Sequence, residues 1–249
     1  MNGGIERWRG VAQVIGKWLK RRVRKSLAAV GYAIRDVGRG VGGVELLHDA
    51  RILLGSVPEP VLFDVGANIG QTTRAMLDAF RSPQIRAFEP SPATFETLRR
   101  AVGGQRGVTV EALAMGDAEG VLPFHVTDVY SVNDSLLAPT WKGGKVVEVR
   151  VETIDTYCHR HGIESISLLK IDAQGYDLRV LKGARRMLDS RHITMYSCEA
   201  NFQRMYEGQT TLLELLGFAD EVGYKLVGFY EQSYVKNRLS YLDALFISG

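Results

Sequence analysis

Short apolar runs alternate with amphipathic segments along most of the chain. Apolar runs predict strands at 61–65, 85–88, 108–114, 166–171 and 193–198, and apolar residues at helical spacing predict helices at 71–80, from Pro92 to Val102, at 153–161, and after Gly175 as far as Leu188. Strands that alternate with helices are typical of a mostly parallel sheet with helices on both faces. The pattern therefore predicts an α/β fold.

Two regions depart from this alternation. Residues 122–126 and 146–151 alternate apolar and polar side chains around a polar loop at 128–144, which predicts an antiparallel insertion. A helix at 212–218 and two strands near 225–230 and 242–247 are expected to close the chain.

The N-terminal segment has a pattern of its own. Residues 5–37 place apolar side chains, including Trp8 and Trp18, on one helical face and Lys and Arg on the other. Such a helix could lie on an anionic membrane surface, or it could be a helical cap on the domain or a disordered basic arm. Four glycines at 38–43 indicate a linker. We therefore expect a basic amphipathic extension over residues 1–57 and a catalytic domain over residues 58–249.

The charge distribution sharpens this division. The net charge of the 249 residues is +3, but residues 1–40 carry ten Lys and Arg against Glu6 and Asp36, which leaves the remainder at about −5. A catalytic domain with this charge has no overall bias toward nucleic acid.

The cysteines and the lack of membrane signals bear on location. Cys158 and Cys198 lack the spacing of a metal site or a disulfide framework, so reduced thiols are expected. With no apolar run of about 18 residues and no signal peptide pattern, a cytoplasmic location is expected, with possible peripheral contact at the inner face of the membrane.

Polar residues at the predicted strand ends suggest chemistry. The run Val61 to Val65 leads into Gly66, where a backbone turn could cradle a nucleotide-like ligand, although any parallel sheet needs a glycine where a strand feeds a helix. Asp64 lies inside an apolar strand and therefore needs a donor, either the amino group of a ligand or the amides of the glycine loop. Asn68 stands where dinucleotide-binding loops have their second glycine, which weakens a nicotinamide assignment.

Two further strand ends fit an adenosine-like ligand. Glu89 follows the second strand at a distance suited to accept both hydroxyls of a ribose, although it could be a surface glutamate before a turn. After the third strand, Met115 could form an apolar wall beside an adenine, and Asp117 could lie near its exocyclic amine; Gly-Asp is also an ordinary turn.

Four ordered sequence blocks resemble the FkbM family of S-adenosylmethionine-dependent methyltransferases. They are Asp-Val-Gly-Ala-Asn-Ile-Gly at 64–70, Phe-Glu-Pro-Ser-Pro at 88–92, Leu-Leu-Lys-Ile-Asp-Ala-Gln-Gly-Tyr-Asp at 168–177 with Val-Leu-Lys-Gly-Ala at 180–184, and Asp-Ala-Leu-Phe-Ile at 243–247. The resemblance implies a class I methyltransferase (Rossmann-like) fold with a seven-stranded sheet whose last strand is antiparallel. It also implies that Asp64, Gly66, Asn68 and Gly70 hold the methionine moiety and Glu89 the ribose. The family commonly has an acid at the position of Gln174, so the role of that side chain is left open.

Methyl transfer to a hydroxyl requires the hydroxyl to lose a proton, which calls for a base or a metal. Asp172 and Glu199 end the fourth and fifth predicted parallel strands and should face the same crevice. Asp172 could act as general base, or Asp172, Glu199 and Asn201 could hold Mg²⁺, which prefers oxygen ligands. The histidines are weaker candidates for a base. Asn133, Ser135 and Tyr206 lie in loops that could shape the acceptor pocket.

The expected activity is therefore S-adenosylmethionine-dependent O-methyl transfer to a sugar, a glycan or a similar polyhydroxylated natural product. A non-catalytic adaptor with a methyltransferase-like fold and a NAD-dependent oxidoreductase are the alternatives.

Overall fold

The computed structural model describes Arg22, residues 41–127 and residues 133–249. Residues 5–37, where the sequence predicts a basic amphipathic helix, lie outside the described residues except for Arg22. Gly43–Gly249 form one compact unit. Among the described residues, no helix has both the length and the apolar character needed to cross a membrane.

The compact unit contains seven helices and ten strands within its described residues. The helices are α1 (Leu46–Leu54), α2 (Gln71–Ala79), α3 (Pro92–Val102), α4 (Ile154–His161), α5 (Asp177–Lys182), α6 (Arg185–Asp189) and α7 (Leu212–Glu221). The strands are β1 (Val61–Val65), β2 (Gln84–Phe88), β3 (Val108–Glu111), β4 (Ala114–Met115), β5 (Gly120–Val126), β6 (Lys145–Glu152), β7 (Ile166–Ile171), β8 (Ile193–Asn201), β9 (Tyr224–Val235) and β10 (Arg238–Ser248).

Seven strands form the central sheet in the order β3-β2-β1-β7-β8-β10-β9. Strands β3, β2, β1, β7 and β8 pair in parallel, and β10 is antiparallel to both of its neighbours. The predicted seven-stranded sheet with an antiparallel last strand is therefore confirmed. The strand order turns back at β1, so that β1, β2 and β7 open at their carboxyl ends into the crevice where ligands bind in such sheets.

Apolar side chains alternate across the sheet and bury both of its faces. Leu62 and Leu168 contact the layer that contains α1 and α2, with Met76 of α2 in the same cluster. Phe63 and Leu169 point to the opposite layer, which the helices from α4 to α7 cover. Because both faces are covered, the central strands are continuous apolar runs, and this is why the sequence pattern located them.

The start of the compact unit differs from the boundary expected at residue 58. Helix α1 begins after Glu45, whose carboxylate accepts hydrogen bonds from the backbone amides of Leu47 and His48. Its buried Leu46, Leu47 and Ala50 pack on the sheet, and Tyr230 of β9 donates a hydrogen bond to Asp49 over 2.9 Å. Helix α1 is therefore part of the same compact unit as the sheet.

The antiparallel insertion is present and larger than expected. Strands β5 and β6 pair antiparallel from Gly120 with Val151 to Val126 with Lys145. The single strand predicted at 108–114 is divided, because β3 ends at Glu111 in the main sheet and β4 joins β6 in a second, three-stranded sheet. Met115 and Asp117 are thus positioned by the insertion and not by the main sheet.

The helix predicted after Gly175 is two short helices, α5 and α6, separated at Gly183. A Cβ atom at Gly183 would lie 1.9 Å from the carbonyl oxygen of Gly116, so the insertion packs directly against the backbone there. The closing strands are also longer than predicted. Lys236 and Asn237 both have positive φ and form the two-residue turn between β9 and β10.

Candidate active site

Three strand ends meet at Gly66, the residue that follows β1. The amides of Gly66 and Ala67 both donate to the carbonyl of Phe88 at the end of β2, over 3.0 and 2.9 Å. Gly66 has φ +78°, and a Cβ atom there would lie 2.0 Å from the carbonyl oxygen of Asp172 at the end of β7. Only glycine fits this junction, because any side chain would both strain the turn and collide with the backbone at the end of β7, the neighbouring strand in the sheet.

Asp64 is fully buried, and its donor comes from helix α2. The hydroxyl of Thr73 donates to Oδ2 of Asp64 over 2.6 Å, whereas the sequence suggested a ligand amine or the loop amides. Oδ1 of Asp64 is buried without a hydrogen-bond partner. Burial raises the pKa of Asp64 above its ordinary value, against the lowering effect of Lys170 and of the Thr73 hydrogen bond. Asp64 lies behind the loop and, like Gly70, does not line the cavity described next.

A cavity of about 670 Å³ opens at the ends of β1, β2 and β7. This volume includes space that is open to solvent. Apolar side chains form one part of its wall, namely Val65, Phe88, Leu113, Met115, Phe124, Leu136 and Tyr176. Asn68, Glu89, Asp172 and Gln174 are among the polar side chains that line the remainder. An apolar wall beside a few polar groups is typical of a site for a small organic ligand.

Two backbone amides hold the carboxylate of Glu89 in this cavity. Its two carboxylate oxygens accept hydrogen bonds from the backbone amides of Asn68, over 3.0 Å, and Ser91, over 2.9 Å. Burial raises the pKa of Glu89 to about 7, although these two hydrogen bonds act in the opposite direction. Asn68 itself has φ +50°, a conformation that asparagine tolerates better than most residues, and its buried Oδ1 has no partner. The fixed carboxylate and the unpaired amide oxygen can accept hydrogen bonds from the hydroxyl and amino groups of a ligand.

Of the two residues predicted near an adenine, one lines the cavity. Met115 is buried in its wall. Asp117 is exposed and accepts a 3.5 Å hydrogen bond from the hydroxyl of Tyr176, which lines the cavity in its place. The insertion also contributes Phe124 and Leu136 to the same wall.

A second cavity, of about 1640 Å³ and partly open to solvent, lies beside the first. It is enclosed by the starts of α1 and α2, the ends of β7 and β8, and the β9–β10 hairpin. Asp172 and Gln174 line both cavities. These two side chains therefore mark the place where a ligand in the first cavity and a ligand in the second would meet.

A hydrogen-bonded network holds this junction together. Asp172 accepts from Lys170 Nζ at Oδ2 over 3.0 Å and from Gln174 Nε2 at Oδ1 over 2.7 Å. Glu199 Oε1 accepts from Asn201 Nδ2 over 2.7 Å and from Gln174 Nε2 over 3.4 Å. Gln174 thus joins the two carboxylates, which answers the question that the sequence left open about its role.

The network is strongly acidic and mostly buried. Burial, then the carboxylates of Asp172, Asp177 and Asp243, raise the pKa of Glu199 to about 9. Burial also raises the pKa values of Asp177 and Asp243 to about 7. Burial disfavours the ammonium form of Lys170, but the carboxylates of Asp172, Asp64 and Asp243 outweigh it and raise its pKa. Lys170 is therefore the counter-charge of the cluster.

The predicted Mg²⁺ site is not supported by this geometry. Within residues 41–127 and 133–249, His, Cys, Asp and Glu side chains form no group of three or more that could hold a metal ion. Asp172 already receives hydrogen bonds from an ammonium and an amide, and Glu199 receives two from amides. Because the Lys170 ammonium lies 3.0 Å from Asp172 and would repel a divalent cation there, the residues do not fit the ion.

The residues proposed for the acceptor pocket separate into two groups. Asn133 lines the second cavity. Ser135 and Tyr206 are buried beside Gln174: the hydroxyl of Ser135 donates to the Gln174 carbonyl over 2.9 Å, and the hydroxyl of Tyr206 lies 3.0 Å from the Asn133 carbonyl oxygen and 3.2 Å from Gln174 Oε1, both of which can accept from it. Neither is among the residues that line the two cavities.

Two charged residues of the site were not identified from the sequence. Lys170 interrupts the apolar run of β7, and this isolated charge was a usable signal. Asp243 begins the last of the recognised blocks, but only the pairing of β10 with β8, which places Asp243 opposite Glu199, brings it to the site.

The histidines described lie elsewhere; His159 and His192, for example, line a separate pocket beside Cys158. Both cysteines are buried free thiols, as expected.

The seven-stranded sheet, the glycine junction and the cavity at the ends of β1, β2 and β7 are those of a class I S-adenosylmethionine-dependent methyltransferase. Residues 64–226 match the family model described as "Methyltransferase FkbM domain", and the chain belongs to this family.

Curated relatives agree with this assignment. The chain is 25% identical over 219 residues to the 2-O-methyltransferase NoeI of Sinorhizobium fredii, a match that covers 81% of this chain and 88% of the relative. It is 26% identical over 186 residues to the hexuronic acid methyltransferase AglP of Haloferax volcanii, covering 68% and 72%. It is 30% identical over 155 residues to the 31-O-demethyl-FK506 methyltransferase FkbM of Streptomyces tacrolimicus, covering 51% and 60%.

Among solved structures, the METTL16 methyltransferase domain resembles the chain with a TM-score of 0.51 at 11% identity, over 82% of this chain and 66% of that one. At this identity the likeness concerns the fold alone.

Proposed function

We propose that this chain transfers a methyl group from S-adenosylmethionine to a hydroxyl of a sugar, a glycan or a similar polyhydroxylated natural product. The observation that carries the proposal is the junction of the two cavities at Asp172 and Gln174. The names of NoeI, AglP and FkbM describe methyl transfer to oxygen or to a sugar acid in those relatives, which supports the choice of acceptor class.

In this proposal the first cavity holds the cofactor. Glu89 binds the ribose hydroxyls, the Gly66 to Gly70 loop approaches the methionine part, and Met115, Phe124 and Leu136 enclose the adenine. Bound there, S-adenosylmethionine supplies an electrophilic methyl group whose C–S bond breaks as the new C–O bond forms, leaving a neutral thioether.

The second cavity holds the acceptor, and Asp172 takes the proton of its hydroxyl. The hydrogen bonds from Lys170 and Gln174 fix the orientation of the Asp172 carboxylate, and each of its oxygens retains a further lone pair. A positioned carboxylate of this kind is a suitable general base. Glu199, whose pKa is raised to about 9, is mainly protonated at neutral pH and serves as a hydrogen-bond partner of the acceptor.

The test is incubation of the purified chain with isotopically labelled S-adenosylmethionine and extracted glycans, polyketides and lipids, followed by mass analysis of the labelled products. We expect a methyl ether in a polyhydroxylated product. Asp172→Asn should lose at least about two orders of magnitude in rate, the usual contribution of a general base, while it still binds S-adenosylhomocysteine. Failure of every pool to accept label would refute the proposal.

A binding control separates the alternatives suggested by the sequence. S-adenosylhomocysteine should raise the melting temperature of the wild type, and NADH should not. Stabilisation by NADH alone would instead favour the oxidoreductase alternative. Cofactor binding without any detectable transfer would favour the adaptor.

A further inference from the structure

Acidic side chains predominate in the wall of the second cavity. Five acidic side chains line it, those of Glu45, Asp172, Glu199, Glu231 and Asp243. Among the described residues of its wall, Lys170 is the single Lys or Arg, and its ammonium is bonded to Asp172 over 3.0 Å. In the described part of the wall, the one basic side chain is therefore already paired with an acid, and an anionic ligand would find no other.

The acids of this cavity disfavour one another's ionised forms. Burial and neighbouring acids raise the pKa values of Glu199 and Asp243, which shows that additional negative charge at this position is unfavourable. An anionic group on the acceptor would lose its hydration and meet further like charges. Hydroxyl groups can instead donate hydrogen bonds to the carboxylates, and a protonated amine would gain from their charge.

We propose that the second cavity selects acceptors without a negative charge near the methylated hydroxyl, namely neutral sugars and sugars that carry a protonated amine. Uronic acids and phosphorylated sugars are rejected. The proposal rests on the proposed function above and makes it narrower. It separates this chain from the relative named hexuronic acid methyltransferase, whose name describes an anionic sugar.

The first test uses glycans separated by ion exchange into anionic, neutral and cationic fractions before incubation with labelled S-adenosylmethionine. We expect label in the neutral or the cationic fraction, and at least tenfold less in the anionic one. Label concentrated in the anionic fraction would overturn the charge selection but leave O-methyl transfer intact. Absence of label from all three fractions would refute the proposed function and this inference with it.

The second test reverses one charge at the rim. Glu231 is exposed and lines the cavity from β9, so Glu231→Lys should improve the use of anionic relative to neutral fractions by roughly fivefold or more, the effect of a change of two charge units near a partly solvated ligand. Glu164→Lys is the matched control, because Glu164 is exposed before the amino end of β7, at the opposite edge of the sheet. Thermal unfolding of both variants checks that they fold. Equal preferences in the two variants would overturn the inference.

Discussion

Nε2 of Gln174 donates a hydrogen bond to Oδ1 of Asp172 over 2.7 Å, at the point where the two cavities join. The same amide nitrogen lies 3.4 Å from Oε1 of Glu199, and its amide oxygen can accept from the hydroxyl of Tyr206. An amide can serve both carboxylates as a donor, whereas an acid at this position could not do so when ionised. Gln174 therefore decides how the two acids of the site are held.

Gln174→Glu should impair methyl transfer at least tenfold. The substitution removes the donor and adds a third carboxylate, at a cost in stability of about 1–3 kcal/mol. Steady-state rates with a saturating acceptor, together with urea denaturation, measure the two effects. Gln105→Glu, at an exposed position before β3, is the control with the same chemical change and should behave as the wild type. A fully active Gln174→Glu variant would show that the amide donor is dispensable.

Gly66→Ala should abolish binding of S-adenosylhomocysteine. The added Cβ would lie 2.0 Å from the Asp172 carbonyl, so β1 and β7 must separate where the cavity is formed. Gly162→Ala is the control, since Gly162 has φ +64° but no heavy atom within 4 Å of the added Cβ. The control should lose only roughly 1–2 kcal/mol of folding stability, the cost of a side chain at positive φ. It should bind S-adenosylhomocysteine as the wild type does, as measured by calorimetry. Equal effects of the two substitutions would contradict the steric account.

Lys170→Met should destabilise the folded protein by about 3–5 kcal/mol, the usual cost of breaking a buried ion pair. The side chain of Lys170 is only 10% exposed, and its removal leaves Asp172 and the neighbouring acids without their counter-charge. The measurement is urea denaturation at neutral pH. Asp172→Asn in the same chain should restore part of the loss, because it removes one of the uncompensated charges. Additive losses in the double variant would show that the two residues are not coupled.

Stability should fall as the pH rises from about 4 to about 9. Glu89, Asp177 and Asp243 have folded pKa values of about 7, and Glu199 of about 9, all above their ordinary values of 3.8 or 4.5. The folded state therefore holds protons that the unfolded chain has released, and this advantage is lost as the pH passes through the folded pKa values. Unfolding free energies from urea titrations at several pH values measure the slope. Stability that rises with pH across this window would contradict the prediction.

Asp177→Asn is the diagnostic variant for this slope. Asp177 is fully buried; Oδ1 accepts from the amide of Glu199 over 3.2 Å, and Oδ2 has no hydrogen-bond partner. Asparagine keeps the first bond and removes the buried acid. The slope between pH 4 and 7 should decrease by up to about 1.4 kcal/mol per pH unit, the value for one proton. An unchanged slope would mean that Asp177 does not take up a proton on folding.

The basic segment 5–37 should bind anionic lipid, a prediction that comes from its sequence alone. The full chain should pellet with vesicles that contain phosphatidylglycerol and remain in the supernatant with phosphatidylcholine vesicles, because its lysines and arginines face acidic headgroups. A chain that starts at Gly43, the beginning of the compact unit, is the control and should not pellet. Equal pelleting with the two lipids would contradict the prediction.

Sequence alone determined the features that depend on neighbours along the chain. The parallel strands were predictable because a strand covered on both faces is a continuous apolar run, and the glycine junction because a strand feeds a helix there. Glu89, Asp172 and Glu199 were found for the same reason, since each directly follows or ends a predicted strand at the binding edge of the sheet.

The tertiary structure decided what distant segments do together. Phe124 and Leu136 reach the first cavity only because the insertion folds over it, and Glu231 and Asp243 reach the second only because the β9–β10 hairpin is long and pairs with β8. Ser135 and Tyr206, expected to contact the acceptor, are buried beside Gln174. Hydrogen bonds and charge interactions of this kind depend on distances between residues far apart in the chain, and a sequence pattern does not contain those distances.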